Sequence, residues 1–304
     1  MIIMVIYTLI LLFTDRGAAG ALCIQALKQW YETMIPALFP TMLISSILVD
    51  TGFAQKIGNL LNRTLLRFLH ISGSGCYCLL TGFLFGFPMG AKTTSDMIAK
   101  KELSYREAEY LLSFINCLGP MYVLNLVHKL FPMHDVWKLL LGIYGLPLIY
   151  GFFLRYTIYQ KEIWVKKDFH HRAAANNMSN EKVCYNASLV DALYECVPKC
   201  GRSMLMLGGY MVLFQVSFLN MKHFLNSINM VTDKLYPLLE VTGGFFLLPQ
   251  GTSLSWVLFY TTFGGACCFL QTYSFLKPAG LSIRSYILHK SILATAAFLL
   301  GLLL

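Results

Sequence analysis

The residues best suited to chemistry in this sequence form one short string, GFPMGAKTTSD, at positions 86–96. Its proline removes a backbone donor and its glycines relax the chain, so a helix that enters the string should break there. The polar residues at positions 93–96 are good capping types and should start a new helix. A helix start beside a lysine can hold an anionic or polar ligand. The residues predicted to bind it are Gly90, Lys92, Thr93, Thr94 and Ser95.

The same string also fits a tight turn at the surface of a membrane. In that interpretation Lys92 extends to lipid headgroups. It then forms an exposed i,i+4 pair with Asp96, worth only a few tenths of a kcal/mol. A P-loop is excluded because its lysine spacing and its strand–helix context are missing. The sequence leaves the ligand site and the surface turn open.

A second string, SFINCLGP at positions 113–120, predicts another break at its glycine and proline. Asn116 lies four residues before Pro120, so its side chain can bond the carbonyl that the proline leaves free. The alternative is that the amide serves as donor and acceptor for a polar solute. The candidate ligand contacts in this region are Asn116, Gly119, Pro120 and Asn125.

The C-terminal part offers polar groups at the edge of a long uncharged stretch. Glu240 precedes Thr242 there, and an acid buried in a membrane is expensive and usually functional. Tyr236 just before it favours a place at the interface instead. Gln250 and Gln271 lie inside the stretch, either as hydrogen-bonding glue between helices or as part of a solute site.

Catalytic and metal-binding patterns are missing from the sequence. There is no HExxH, GxSxG or CxxC string. Cys196 and Cys200 stand one helical turn apart, which gives too few ligands for a zinc site. Residues 100–109 (KKELSYREAE) predict a solvated helix start, with Ser104 as cap and Glu107 closing a capping box. We therefore predict neither an enzyme nor a cofactor nor a metal.

The composition identifies the elements that must position these residues. Apolar residues make up 57% of the 304 residues and charged residues only 13%, against roughly 25% charged in soluble domains. A helix needs about 20 mostly apolar residues to cross a bilayer, and only helices satisfy their backbone there without closing a barrel. The chain is therefore expected to span a lipid bilayer several times. Stretches without Lys, Arg, Asp, Glu or His run over 33–49, 71–91, 110–127, 203–221, 241–276 and 291–304.

The net charge of +9 lies largely in connecting segments. Residues 155–182 hold six Lys or Arg against three Asp or Glu, which predicts a cytoplasmic linker by the positive-inside rule. Nucleic-acid binding is not expected, because no aromatic platform is interleaved with the basic residues. The domains predicted are an N-terminal membrane repeat at 1–154, a basic linker at 155–186 and a C-terminal membrane repeat at 187–304.

The two repeats share an order of features. Each begins with an amphipathic helix, at 21–34 and at 189–204, expected to lie at the membrane interface. An apolar span and a glycine- and proline-broken stretch follow in each repeat. Residues 112–125 align without gaps on 258–271. We predict an all-α polytopic membrane protein of two inverted repeats, each with an interfacial helix, spanning helices and a broken, re-entrant helical hairpin.

This order of motifs resembles the YlbJ-type sporulation integral membrane proteins of the nucleoside-recognition, or Gate, domain group. The resemblance extends from about residue 26 to residue 276, and the Gate-like part of the first repeat covers about 26–130. Cys117 stands where the family usually has a second Asn or a small residue, and Met89 stands where Ser or Thr is common. The strings that carry the resemblance are TGFLFGFPMGAKTTSDM, SYREAEYLLSFINCLGPMYVLN, LEVTGG and FGGACCFLQ.

The resemblance implies a multi-pass protein of the cytoplasmic membrane of an endospore-forming bacterium, with a role in spore formation. It also implies a transporter-like fold that recognises or moves a small polar solute, nucleoside-like or anionic, between two broken hairpins. A homo-oligomer is compatible with the sequence. The competing hypothesis is a membrane scaffold or signalling protein that transports nothing and recruits a spore-assembly partner.

Overall fold

The computed structural model describes residues 16–64, 67–160, 189–226 and 234–304, and all regular structure within these ranges is helical. Four segments of this part of the chain are long and apolar enough to cross a membrane. The all-α polytopic class predicted from the composition is therefore confirmed. The four segments are Ala19–Asp50, Val136–Thr157, Leu254–Leu276 and Ile283–Leu303.

The first amphipathic segment is not a separate interfacial helix. Helix α1 (Arg16–Gln29) continues through a π-helical turn (Trp30–Met34) into α2 (Ile35–Asp50). Within the turn the N–H of Ile35 donates to the carbonyl of Trp30, one residue further back than in an α-helix. This wider turn accommodates Pro36, which has no N–H to donate. The predicted separation of an interfacial helix from the first span is therefore wrong.

The second amphipathic segment is likewise the first part of one long helix. Helix α11 (Leu189–Asn226) has 38 residues, which corresponds to roughly 57 Å at 1.5 Å per residue. It packs along α1 and α2, where Trp30 Nε1 donates to the carbonyl of Met204 at 2.9 Å. Gln215 also donates to Gln29 at 2.6 Å. The first long helices of the two predicted repeats thus pack against each other.

Between α2 and the first break, two helices approach each other closely. Helices α3 (Phe53–Thr64) and α4 (Gly73–Leu84) meet at two glycines. A Cβ added to Gly58 would lie 1.8 Å from the carbonyl oxygen of Gly73, so no larger residue fits. Helices α5 (Met89–Ala99) and α6 (Tyr105–Leu112) follow.

Short helical segments complete the N-terminal half. Helices α7 (Pro120–Tyr122) and α8 (His128–Leu130) flank a π-helical turn, and so do α9 (Val136–Leu140) and α10 (Leu146–Thr157). The start of the predicted linker belongs to α10, because Arg155 is buried there and donates to the carbonyl of Tyr159. Residues 161–188, most of that linker, lie outside the described ranges.

The stretch 241–276 is broken twice. Helices α12 (Tyr236–Leu239) and α13 (Val241–Leu247) are separated from α14 (Leu254–Phe263) by a turn around residues 249–251. A second break precedes α15 (Gly265–Leu276), where Gly264 has φ +83° and Gly265 has φ +80°. Only glycine adopts such angles without strain. Helix α16 (Ile283–Leu303) packs along α14 and ends the described chain.

Candidate functional site

The first predicted break is present between α4 and α5. Gly86 turns the chain with φ +77°, and a Cβ added to it would lie 2.3 Å from the backbone nitrogen of Gly119. The next helix begins at Met89, whose N–H donates to the carbonyl of Gly86 at 2.7 Å. The predicted start at 93–96 is therefore wrong by about one turn. Pro88 is the N-cap residue and has no side-chain cap, so the new helix starts without the capping side chains of residues 93–96.

The polar residues after the break pack into the protein. Lys92 is 2% exposed and donates to Ser46 Oγ at 2.5 Å and to Asp96 Oδ2 at 2.7 Å. The interpretation in which Lys92 extends to headgroups and forms an exposed pair is therefore wrong. Thr93 contacts Ser45 through their hydroxyls at 3.2 Å.

The structure also places the other three candidates of this string, Gly90, Thr94 and Ser95. Thr94 is buried and donates to the carbonyl of Gly90 at 2.7 Å. Gly90 is buried, and a Cβ there would lie 3.1 Å from Asn116 Oδ1. Ser95 is half-buried. After the first break, Gly90 therefore lies next to Asn116, and the side chain of Lys92 bonds to α2.

A chain of charges connects α5 with α11. Asp96 lies between Lys92, at 2.7 Å, and Lys199 of α11, at 3.0 Å. Burial by itself would raise the pKa of Asp96, but the two ammonium groups outweigh it and hold that pKa below its usual value. This triad ties the two halves together on one side of the break.

The second predicted break is present as well. No regular helix occurs from residue 113 to residue 119, and α7 begins at Pro120. Asn116 lies in this non-helical stretch, is fully buried, and donates to Thr272 Oγ1 at 3.2 Å and to the hydroxyl of Tyr286 at 2.8 Å. Its amide therefore joins the C-terminal half and does not repair a proline kink. Among the described residues, its Oδ1 has no hydrogen-bond partner.

Lys290 is the site residue that the sequence reasoning missed. It is fully buried on α16, one turn after Tyr286, and its Nζ has no hydrogen-bond partner in the described part of the chain. The ammonium lies 4.6 Å from the centre of the Phe87 ring. That ring also covers Gly264, since a Cβ there would lie 2.8 Å from Phe87 Cζ. The sequence does contain an indication of this site, because a lysine inside an apolar membrane helix suggests a functional role by default.

Glu240 is buried and binds the backbone at the start of the next helix. It is 2% exposed, so the surrounding protein encloses it. Its two carboxylate oxygens accept the N–H groups of Thr242, at 2.9 Å, and Gly243, at 2.6 Å. Glu240 is thus the N-cap of α13, and Thr242 is buried beside it.

The remaining candidates are not gathered with Asn116. Asn125 and Gln250 are exposed, the latter in the turn between α13 and α14. Gln271 is half-buried and donates to Cys267 Sγ at 3.3 Å. Asn116 donates its hydrogen bonds to other residues, and Gln250 is not one of them. What Asn116 faces is the residue next to Gln271, Thr272.

Removing the carboxylate of Glu240 should destabilise the protein at the start of α13. We expect Glu240→Ala to cost roughly 2–4 kcal/mol, because two buried N–H groups lose a charged acceptor. Glu240→Gln should cost less, since one amide oxygen still accepts. Thermal unfolding of the purified protein measures both. Ser282→Ala is the control, because Ser282 caps α16 at an exposed position. Equal losses in Glu240→Ala and Ser282→Ala would contradict the assignment.

The comparisons with known proteins agree with the motif order. The chain is 26% identical over 201 residues to the sporulation integral membrane protein YlbJ of Bacillus subtilis (strain 168). The match covers 62% of this chain and 48% of that protein, so the chain spans about half the length of the relative. The predicted resemblance is confirmed. No family model matches the chain, and no solved structure matches it.

Proposed function

We propose that this chain is a sporulation-associated protein of a bacterial cytoplasmic membrane that recognises or moves a small polar solute. The solute, nucleoside-like or anionic, binds where the two breaks of the N-terminal half meet α15 and α16. The observation that carries the proposal is Lys290, a buried ammonium without a hydrogen-bond acceptor in the described chain. Irregular backbone beside it is tolerated at membrane depth only where protein or a wet cavity surrounds it.

The groups around Lys290 suit such a solute. Asn116 has an unused acceptor oxygen, and Thr272 and Tyr286 supply hydroxyls that already bond its amide. An anion would neutralise the ammonium, and a ribose or base edge would pair with amide and hydroxyl groups. A Gate-like inverted repeat with two re-entrant hairpins is part of this proposal, and the helix breaks around Gly86 and Gly264, one in each half, favour it.

The test is a screen of the purified protein for ligand-dependent thermal stabilisation by nucleosides, phosphate, nucleotides and small carboxylic acids. At least one class should raise the melting temperature by several degrees at saturating concentration. Asn116→Ala should remove that response. Leu299→Ala, an exposed change on α16, is the control and should keep it. A flat response in every class would count against the proposal.

The alternative is a membrane scaffold that recruits a spore-assembly partner. The basic stretch 155–182 favours it, with six Lys or Arg against three Asp or Glu. Deleting residues 166–181, which lie outside the described ranges, should abolish the sporulation phenotype of a scaffold and spare a permease. The pair Asn116→Ala and Gln271→Ala should do the reverse.

A further inference from the structure

Two helix starts meet beside Lys290, one from each half of the protein. Helix α5 begins at Met89 and helix α15 begins at Gly265, and neither start has a side-chain cap. The two helices pack against each other. The ring of Phe87, two residues before α5, covers Gly264, the residue directly before α15. The two uncapped starts therefore lie close together at the breaks.

An uncapped helix start favours an anion for a general reason. The first N–H groups of an α-helix have no partner within the helix, and the aligned peptide dipoles place about half a positive charge there. Helix α5 has 11 residues and α15 has 12, so each has enough aligned peptides for this effect. Two such starts side by side favour negative charge more than one does.

The independent observation is the buried ammonium beside these starts. Lys290 is fully buried, and its Nζ has no hydrogen-bond partner among the residues that the structure describes. It lies 4.6 Å from the centre of the Phe87 ring. Its charge also interacts with Cys117, next to Asn116, and with Cys268, in the first turn of α15. An ammonium and two helix starts, all positive, thus converge, and a bound anion would compensate them.

One further group without a partner indicates which kind of anion fits. Asn116 is fully buried, and its Oδ1 accepts no hydrogen bond from the described residues. This oxygen lies at the start of α5, since a Cβ added to Gly90 would be 3.1 Å from it. An amide oxygen only accepts hydrogen bonds, so it would repel an anion that carries no proton. An anion with a hydroxyl of its own would give this oxygen a donor.

We propose that the solute bound here is inorganic phosphate, a compact oxyanion that keeps a hydroxyl at neutral pH. The inference rests on the proposed function and narrows its solute from nucleoside-like or anionic to phosphate. The phosphate oxygens would accept hydrogen bonds from Lys290 and from the N–H groups at the two helix starts. The phosphate hydroxyl would donate to Asn116 Oδ1. Sulfate has the same tetrahedral shape but no proton at neutral pH, so it cannot make that last bond.

The experiment measures thermal unfolding of the full chain in detergent at about pH 7, in a buffer without phosphate or sulfate. Potassium phosphate, potassium sulfate and uridine are added separately, and KCl keeps the ionic strength equal. Phosphate at about 100 times its Kd should raise the melting temperature by roughly 5 °C. Sulfate at the same concentration should give a small part of that increase, and uridine, which is uncharged, should give none.

Two variants connect the response to the site. Lys290→Met and Asn116→Ala should each lose the phosphate response. Lys277→Met is the matched control, because Lys277 is exposed at the end of α15, and it should respond like the wild type. Lys290→Met removes a charge that has no hydrogen-bond partner in the described chain. The test therefore does not depend on whether the Asn116 variant folds.

The possible outcomes separate this inference from the proposed function. Equal stabilisation by sulfate and phosphate overturns the phosphate assignment, and so does a phosphate response that Lys290→Met retains. Stabilisation by uridine without stabilisation by phosphate also overturns it, but leaves the solute site itself supported. If no solute in this experiment or in the wider screen stabilises the protein, both the assignment and the proposed function fail.

Discussion

Replacing Lys290 by methionine is expected to stabilise the protein and at the same time abolish its response to anionic solutes. A buried ammonium without an acceptor is expensive, and methionine has nearly the same length without the charge. The cation–π contact with Phe87 offsets about 0.5–2 kcal/mol of that cost. We expect a net gain of roughly 1–3 kcal/mol in the free energy of unfolding.

The measurement combines thermal unfolding with titration of the best anion from the solute screen. Lys277→Met is the matched control, because Lys277 is exposed at the end of α15. It should change neither stability nor the ligand response appreciably. The opposite pattern, a destabilised Lys290→Met that still responds to anions, would mean that Lys290 is a structural cation. The result predicted for Lys290→Met, a gain in stability together with a loss of the ligand response, is typical of binding-site residues.

Asp96→Asn should be the most destabilising single change of charge. The variant leaves Lys92, which is 2% exposed, without its counterion and removes the partner of Lys199. Removing one partner of a buried ion pair costs roughly 3–5 kcal/mol. The loss should also loosen α5 from α11, because Asp96 is the ionic contact described between them.

Denaturant unfolding of the purified protein measures this loss. Asp135→Asn is the control, since its pair with Lys138 is 3.5 Å long and the aspartate is 60% exposed. That change should cost less than about 1 kcal/mol. Because the folded pKa of Asp96 is depressed, its contribution should be complete at neutral pH. It should disappear only as the pH falls below about 4 toward that depressed value. Comparable losses in the two variants would mean that the triad is solvated.

Local sequence patterns predicted the breaks because their causes are local. Gly86, Pro88 and Pro120 disrupt a helix through their own backbone chemistry, whatever surrounds them. The same argument failed at the interfacial helices, where no breaker separates residues 21–34 from the following span. Pro36 follows a π-helical turn there, and the helix continues through it.

The placement of polar side chains could not be predicted in the same way. Lys92 and Glu240 were compatible with an exposed position by sequence, and both are 2% exposed in the fold. Lys92 bonds to Ser46 of α2, far away in the chain, whereas the N–H groups that Glu240 accepts are those of Thr242 and Gly243 directly after it. Lys290 stands in an apolar helix in the sequence itself, but only the fold brings it against Phe87, which lies far away in the chain.

The sequence by itself determined that this is a membrane-spanning helical protein and where its helices break. Hydropathy and backbone chemistry act within one segment at a time, so their effects can be predicted without knowing the tertiary structure. Only the tertiary structure decided which charges are buried, and that Asn116 meets Thr272 and Tyr286 rather than the glutamine of the turn. Burial and hydrogen bonding are properties of pairs of segments, and packing alone brings such pairs together.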